Sequence, residues 1–495
     1  MGDGWDLPLS FQKIYMPIYE AYSTFGSLKD CYDVIVVGCG PAGIFTALEL
    51  VEYGGLDVLM LDRGLDIDRR VCPASRGLEC SRVCDPCSIL YGWGGAGAFS
   101  DGKLHISTEV GGWLPEYVDR GVLAELAEKV DSIYLKFGAP DKLYGTDLDA
   151  MEGISRKAAF AGLTLIPVRL RHMGTEKCLE VLRNMYTYLK GRVDIATGVE
   201  VKSILVDSGR VVGVSIGDSE IYGRYVVLAP GRSGSEWLVN EARRLGLNMT
   251  SNPVDLGVRV EVPAAIMEEL TNILYEPKFI YYSKQFDDKT RMFCVCPYGR
   301  VITERYEDII TVNGESYFKD KTRNTNFAIL VSTMFTEPFK EPIAYGKYIA
   351  RLANIISGGV IVQRLGDLRR GRRSTPERIG RSIVEPTLKS ATPGDLSYVL
   401  PYRYLTDIVE MLDALDKVAP GIASDHTLLY GVEVKFYSSR LKLSRELETE
   451  VRGLYTVGDG AGVTRSLMQA SISGIIAARS ILRREGYSLE GSQEA

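Results

Sequence analysis

Histidine and glutamine are both scarce here, with three His and five Gln in 495 residues. None of His105, His172 and His426 stands in a triad-like or metal-ligand spacing, which leaves hydrolysis of the Ser/His/Asp kind without support. So few thermolabile amides beside 25% charged residues is a composition expected of a thermophile. Long apolar runs are missing as well. None reaches the roughly 20 uninterrupted residues that a bilayer span needs, and the richest stretch, 33–50, is broken by three glycines and a proline. The opening MGDGWDLPLS lacks the basic start and apolar core of a secretory signal. A positive balance is absent too: the net charge of −6 argues against a nucleic-acid or acidic-membrane binder taken as a whole. What remains is the expectation of a cytoplasmic protein.

The 45% apolar content and the length give room for two to four domains with sizeable cores. The nine cysteines are unevenly placed, four of them between Cys72 and Cys87. In a reducing cytosol such a cluster points to metal or redox chemistry before disulfides, although thermophile cytosols tolerate disulfides.

One segment is locally complete. Asp33-Val-Ile-Val-Val37 reads as a buried parallel strand. It is followed by Gly38-Cys39-Gly40-Pro41-Ala42-Gly43 and an amphipathic helix over 44–53. A second strand, 57–61, ends at Asp62, with Arg63 beside it. Strand, glycine turn, helix, strand and acid make a dinucleotide fingerprint. The first glycine forms the tight turn, the second lets backbone approach a pyrophosphate, and the third lets helix pack close to strand. Asp62, 19 residues after Gly43, stands where a ribose-binding acid is expected. The bland alternative is a merely tight turn, which does not explain the acid in register.

The C-terminal run Tyr455-Thr-Val-Gly458-Asp459-Gly460-Ala-Gly462 completes a resemblance. It is similar to the FAD-dependent oxidoreductases with the glutathione-reductase-like, Rossmann-type nucleotide-binding fold. The resemblance implies that Asp459 and Gly460 hold the ribityl chain and that the Val463/Thr464 turn approaches the flavin ring, near a helix N-terminus whose dipole favours negative charge. Val227-Leu-Ala229-Pro-Gly231 resembles the group's intermediate strand motif, and Val201 the strand whose backbone meets adenine. Four segments narrow the resemblance to a family of FAD-dependent dehydrogenases whose chemistry is not settled: Gly94-Gly95-Ala96-Gly97-Ala-Phe-Ser100-Asp-Gly-Lys103-Leu104, Phe293-Cys-Val-Cys-Pro297, 362–367, and 458–465. Within that family the 94–103 loop is expected beside the flavin, with Ser100, Asp101 and Lys103 as polar handles. A glycine-rich surface turn is the plain alternative.

Cys72-x7-Cys80-x3-Cys84-x2-Cys87 suits an iron–sulfur cluster or a tetrahedral zinc, with disulfides or unbound thiols as the remaining reading. A neighbouring flavin favours the cluster, because zinc is redox-silent. Cys294 and Cys296, two apart on a strand, are expected to share one face and are the candidate catalytic pair; two small core residues are the alternative. Seven arginines fall within Arg364–Arg381. They could meet an anionic substrate, a nicotinamide-dinucleotide phosphate or RNA, whereas a solvated loop paired with local acids is simpler. No second dinucleotide unit is present, so NAD(P)H would bind only transiently.

These readings give an α/β flavoprotein. An N-terminal extension occupies 1–30, and an FAD-binding domain is built from 31–250 and 445–485, with the Cys-rich insert at 72–87. An α+β substrate or cap domain spans 251–444, and 486–495 is a polar tail. The expected partner is a small-molecule substrate or a redox protein, the overall acidity arguing against a broad RNA footprint. The substrate and the oligomeric state are left open.

Overall fold

The computed structural model describes residues 28–72, 84–250, 252–306, 309–317, 320–333, 341–436 and 440–489. Most of the 1–30 extension, the end of the tail and Cys80 lie outside the described residues.

The β-branched run at the start becomes the strand Cys31–Val37, paired in parallel with Val58–Asp62 on one side and Ser219–Leu228 on the other. Ile35, Val36, Leu59, Met60 and Leu61 are completely buried, as strands covered on both faces must be. Asp194–Thr197 extends this first sheet past Val58–Asp62. Val201–Asp207, Arg210–Ile216 and Ser219–Leu228 form an antiparallel meander returning to it. The late strand Leu454–Thr456 pairs in parallel with Val226–Leu228. The two ends of the chain therefore meet in one sheet.

Helices Pro41–Tyr53 and Leu467–Arg484 pack on this sheet and on each other. They cross so closely that a Cβ at Gly474 would lie 2.1 Å from the Ala42 carbonyl oxygen.

The second sheet is mostly antiparallel and eight-stranded. Its order is Thr392–Pro393, Ile361–Arg364, Leu428–Lys435, Val254–Pro263, Asn324–Thr333, Lys289–Cys296, Phe279–Tyr282 and Leu163–Leu165. Alternation along Val254–Pro263 divides its faces. Val254, Leu256, Val258, Val260 and Val262 enter a core with Ile408, Met411 and Leu412 of helix Tyr402–Leu415. Asp255, Arg259 and Glu261 project the other way and are nevertheless fully buried. The α/β class is thus realised with mixed sheets.

Two details depart from a simple division of the chain. The strand Leu163–Leu165 and the helix Leu148–Phe160, both within 31–250, pack into the second core, through Met151, Ile154, Ala158, Leu163 and Leu165. Their apolar spacing of three and four residues makes one stripe, which finds its cover on the second sheet. Where the chain leaves the first body and where it returns, Met249–Thr250 and Arg440–Leu441 pair antiparallel.

Candidate functional site

Five parallel strands of the first sheet end on the same side, where a ligand of a doubly wound sheet binds. Gly38 has φ +109°, and a Cβ there would lie 2.1 Å from the Ala229 carbonyl oxygen. A Cβ at Gly43 would lie 1.9 Å from the Gly38 carbonyl oxygen. Both glycines are thus required by the protein itself. Gly40 is not: its φ of −78° suits any residue, and a Cβ there would come no closer than 3.8 Å to a neighbouring atom, the Gly95 Cα. The protein leaves this point of the turn open at the N-terminus of a 13-residue helix, with Pro41 and Ala42 beginning the helix. That is the cradle a pyrophosphate fits.

The second glycine segment forms the facing wall. Gly94 donates to the Cys39 carbonyl oxygen at 2.7 Å, and Gly95 starts a 3-10 turn over Gly95–Phe99 that includes Ala96 and Gly97. Arg70, which the sequence did not bring forward, ties this wall down. It donates to the carbonyl oxygens of Ser88 (2.9 Å), Ile89 (2.8 Å) and Trp93 (2.5 Å) and lies over the Phe99 ring. Burial pushes its guanidinium down to about 10.

Asp62 serves the same wall. Its carboxylate accepts from the backbone N–H groups of Cys39 (2.8 Å), Gly64 (2.8 Å) and Gly92 (2.7 Å). Burial raises its pKa despite those three bonds. Asp62 therefore fastens the two glycine segments together, and also lines a cavity of about 110 Å³ with Arg63, Tyr91, Val201, Pro230 and Trp237. Ser100 spends its hydroxyl on its own turn, donating to Gly97 O at 2.8 Å and accepting from Gly102 N at 3.2 Å.

At the late strand, Asp459 accepts from the Thr464 hydroxyl at 2.7 Å and stands 3.6 Å from Arg232. Gly460 packs on Gly231, its would-be Cβ 2.4 Å from the Gly231 carbonyl oxygen. Val463 and Thr464 are buried. The segment Gly111–Trp113 covers them, Trp113 N donating to Val463 O at 2.9 Å.

A second concentration of chemistry lies between the two bodies. Lys103 begins the strand Lys103–Ile106, which leaves the glycine wall. Its ammonium contacts Asp101 at 3.0 Å, Glu276 at 3.5 Å, Val295 O at 3.0 Å and Cys296 Sγ at 3.9 Å. Burial alone would lower its pKa, yet the surrounding acids and thiols hold it well above the ordinary lysine value. Glu276 also meets His105 at 3.3 Å and Lys278, and Lys278, the His105 hydrogen bond and Lys103 together overcome burial to keep it well below the usual carboxylate range. His172 stacks on Tyr275, with Nε2 3.2 Å from the hydroxyl. Burial drives the His172 imidazole down to about 4 and the Tyr275 phenol up to about 12. Tyr275 and Cys294 share the left-handed backbone, each with φ +57°, which costs non-glycine residues about 1–3 kcal/mol and collects at functional sites.

Cys294 and Cys296 come to this cluster, though not as an undistorted strand would bring them. The pairing register shifts between Phe293 and Cys296, a bulge that breaks the two-residue alternation. Cys294 is half-buried and Cys296 buried. Arg259 donates to Cys294 O at 2.6 Å and to Cys296 Sγ at 3.2 Å. Burial pushes the Cys296 thiol up to about 12 against the opposing pull of Lys103 and Arg259.

The remaining sequence motifs lie elsewhere. Cys72 is buried, and Cys84 and Cys87 flank Asp85, which pairs with Arg63 at 2.6 Å in the cavity wall. Among the described residues no cluster of His, Cys, Asp and Glu could hold a metal; Cys80 is outside them. Five of the arginines in 364–381 are engaged locally: Arg364 with the Arg378 carbonyl, Arg369 with Asp413, Arg370 with Asp425, Arg372 with Asp367, and Arg378 with the Arg373 carbonyl. No helix among the described residues is long and apolar enough to cross a membrane.

The sequence reasoning passed over Arg70, Tyr275, Glu276, Arg259 and the two histidines. Lys103-x-His105 on one strand face, just after a glycine loop, was the available signal for His105. Nothing local signalled Glu276 or Arg259, because their partners lie far away in sequence.

Parts of the chain are similar to known proteins. Residues 253–436 match the family model described as FAD-dependent protein, C-terminal domain-like. An uncharacterized protein of Clostridium beijerinckii is 28% identical over 478 residues, covering 91% of this chain and 80% of that one. Among solved structures, glycine oxidase from Geobacillus kaustophilus is 12% identical with TM-score 0.39, covering 92% of this chain and 95% of its own. L-proline dehydrogenase from P. horikoshii is also 12% identical, with TM-score 0.38 and coverages of 93% and 95%. The second body, over 253–436, is thus similar to the C-terminal domain of FAD-dependent proteins, and it is joined to a first body with a dinucleotide-type glycine turn.

Proposed function

We propose that this protein is an FAD-dependent oxidoreductase of the dehydrogenase or reductase type, with a glutathione-reductase-like arrangement of its nucleotide. The observation that carries the reading is the open point at Gly40, set between two glycine segments that the protein otherwise packs to contact. Gly38, Gly40, Gly43 and Gly94–Gly97 would hold the pyrophosphate. Arg63, Val201 and the cavity around Tyr91 and Trp237 take the adenosine end, and Asp459 with the Val463–Thr464 turn takes the flavin end. FAD, when bound, supplies the electron or hydride transfer. The chain supplies position, exclusion of water and charge. Lys103 offers a fixed cation, and Asp101, Ser316 and Tyr275 link it to His172 in steps of 3.0, 3.2, 3.4 and 3.2 Å, a path along which a proton can move. Cys294 and Cys296 stand at the same wall as candidate reacting thiols.

The test is an absorption spectrum of the purified protein with flavin quantified after denaturation. About one FAD per chain, reducible by dithionite or by a nicotinamide donor, is the expected result. A colourless protein that takes up no FAD on reconstitution refutes the reading.

For the four-cysteine segment the proposal is a metal site at Cys72, Cys80, Cys84 and Cys87, an iron–sulfur cluster or zinc in its place. Its support is the spacing. The Asp85–Arg63 pair puts Cys84 and Cys87 near the adenosine end of the cradle, so a cluster there would serve an external electron partner. Iron and acid-labile sulfide after anaerobic purification, both lost in Cys84→Ser, support the cluster. Stoichiometric zinc removes the relay, and no metal at all removes the site.

A further inference from the structure

Cys294 is fixed through its backbone from both sides. Its φ is +57°, its N–H donates to Glu276 Oε1 at 3.1 Å, and its carbonyl oxygen accepts from Arg259 at 2.6 Å. A left-handed non-glycine residue persists only where its surroundings over-determine it, and such residues collect at functional sites. The bulge near the end of the strand Lys289–Cys296 leaves Cys294 half-buried and Cys296 buried. The deeper side chain nevertheless turns back, with Cys296 Sγ 3.6 Å from Cys294 O. Residues two apart are separated by at most about 7 Å at Cα, close to the span that a disulfide bridges.

The charges around Cys296 are those a sulfur anion needs. Arg259 donates to its Sγ at 3.2 Å, and Lys103 stands 3.9 Å away, one cation from each body. Plain core cysteines behave as small hydrophobes and call for no buried cation. Here the Lys103 and Arg259 side chains are only 9% and 0% exposed, an arrangement that is costly to assemble. We infer that Cys294 and Cys296 form a redox-active dithiol whose substrate is a small-molecule disulfide, with Cys294 attacking first and Cys296 resolving. The Cys294 thiolate attacks one substrate sulfur and forms a mixed disulfide. The other half of the substrate leaves as a thiolate and takes up the proton that Cys294 released. Cys296 then attacks Cys294 Sγ, closing the Cys294–Cys296 disulfide, and the second half leaves with the Cys296 proton. The substrate gains the two electrons and two protons that the pair loses. Lys103 and Arg259 stabilise the Cys296 thiolate during the second attack. Two electrons and two protons restore the dithiol, for which the proposed FAD is the source; the inference rests on that reading at this point, while the thiol exchange itself does not need flavin.

The experiment treats the purified holoprotein with oxidised glutathione under anaerobic conditions, alkylates the remaining thiols, and weighs the tryptic peptide 292–300, which carries both cysteines. The expected result is the loss of two hydrogen atoms from that peptide while Cys178, a buried thiol, stays reduced. Cys296→Ser should stop at the glutathione adduct on Cys294, and Cys294→Ser should form an adduct on Cys296 about tenfold more slowly or less. Cys296→Ala stands in if the serine variant does not fold. An unmodified 292–300 peptide, an adduct on Cys294 of the parent chain that never closes, or equal adduct rates in the two serine variants overturns the inference. Flavin reduced by dithionite should regain its absorption with oxidised glutathione in the parent chain and not in Cys296→Ser. A protein without flavin refutes the FAD reading, and the peptide masses then still decide whether the two thiols exchange.

Discussion

The two sheets bury their central strands equally well but with opposite chemistry. In the first, Ile35, Val36, Leu59, Met60 and Leu61 fill both faces with aliphatic side chains. In the second, Val254–Pro263 gives one face to an aliphatic core and the other to Asp255, Arg259 and Glu261, all without exposure. Burying charge costs several kcal/mol per ion unless partners repay it. Arg259 is repaid by Asn326 at 2.8 Å, Cys294 O at 2.6 Å and Glu433 at 3.6 Å. Glu261 is repaid by Tyr430, Thr387 and Asn324. The first sheet offers its backbone strand ends and glycine turns as the proposed nucleotide cradle and can be apolar elsewhere. The second presents its polar face toward the first body, where it meets Lys103 and Arg465 through Glu276, Cys296 and Asp255.

The largest expected effect tests that contrast. Arg259→Met leaves Glu433 beside fewer cations and should cost about 4 kcal/mol of unfolding free energy. Adding Glu433→Met should return part of that loss. Urea denaturation of the two variants decides it, and strict additivity of the single losses would contradict the coupling. In the first sheet, Met60→Ala should cost about 3 kcal/mol through cavity formation alone, with no such rescue by a neighbouring substitution. Denaturation of this variant paired with changes at nearby aliphatics checks that the aliphatic sheet has no polar coupling.

A smaller effect concerns the boundary between the bodies. His172 titrates at about 4 in the folded protein because burial disfavours its charged form, against 6.5 when exposed. The unfolded chain therefore takes up this proton first as pH falls. Stability from this residue is complete above pH 6.5 and declines by about 3 kcal/mol toward pH 4. Denaturation midpoints across that window should flatten in His172→Asn, and an unchanged slope would remove His172 as the cause.

The smallest effect on stability is paired with a clear effect on binding. Gly40→Ala meets no atom closer than 3.8 Å and should change stability by less than about 1 kcal/mol, yet it should lower FAD occupancy measured by flavin absorbance. Full occupancy in Gly40→Ala would mean that the open point of the turn is not the pyrophosphate cradle.

The nucleotide turn was legible because its logic is local. Gly38, Gly43 and the strands around them meet partners set by one βαβ unit, and the spacing to Asp62 follows from helix and strand length. The role of Asp62 was less legible, since its bonds to Cys39, Gly64 and Gly92 depend on a loop thirty residues away. The cysteine pair was legible as a pair, while the bulge that separates the exposure of Cys294 from that of Cys296 arises from pairing with Asn324–Thr333.

By itself the sequence determined the parallel strands, the glycine turns and the alternation of Val254 to Val262, because period and steric need are written residue by residue. Read alone, that alternation describes a strand with one face in water. Only the tertiary structure decided that the charged face is enclosed, and which acids and cations meet there. Glu276 lies 173 residues from Lys103 and Asp255 lies 210 from Arg465, and no local period records contacts over such distances.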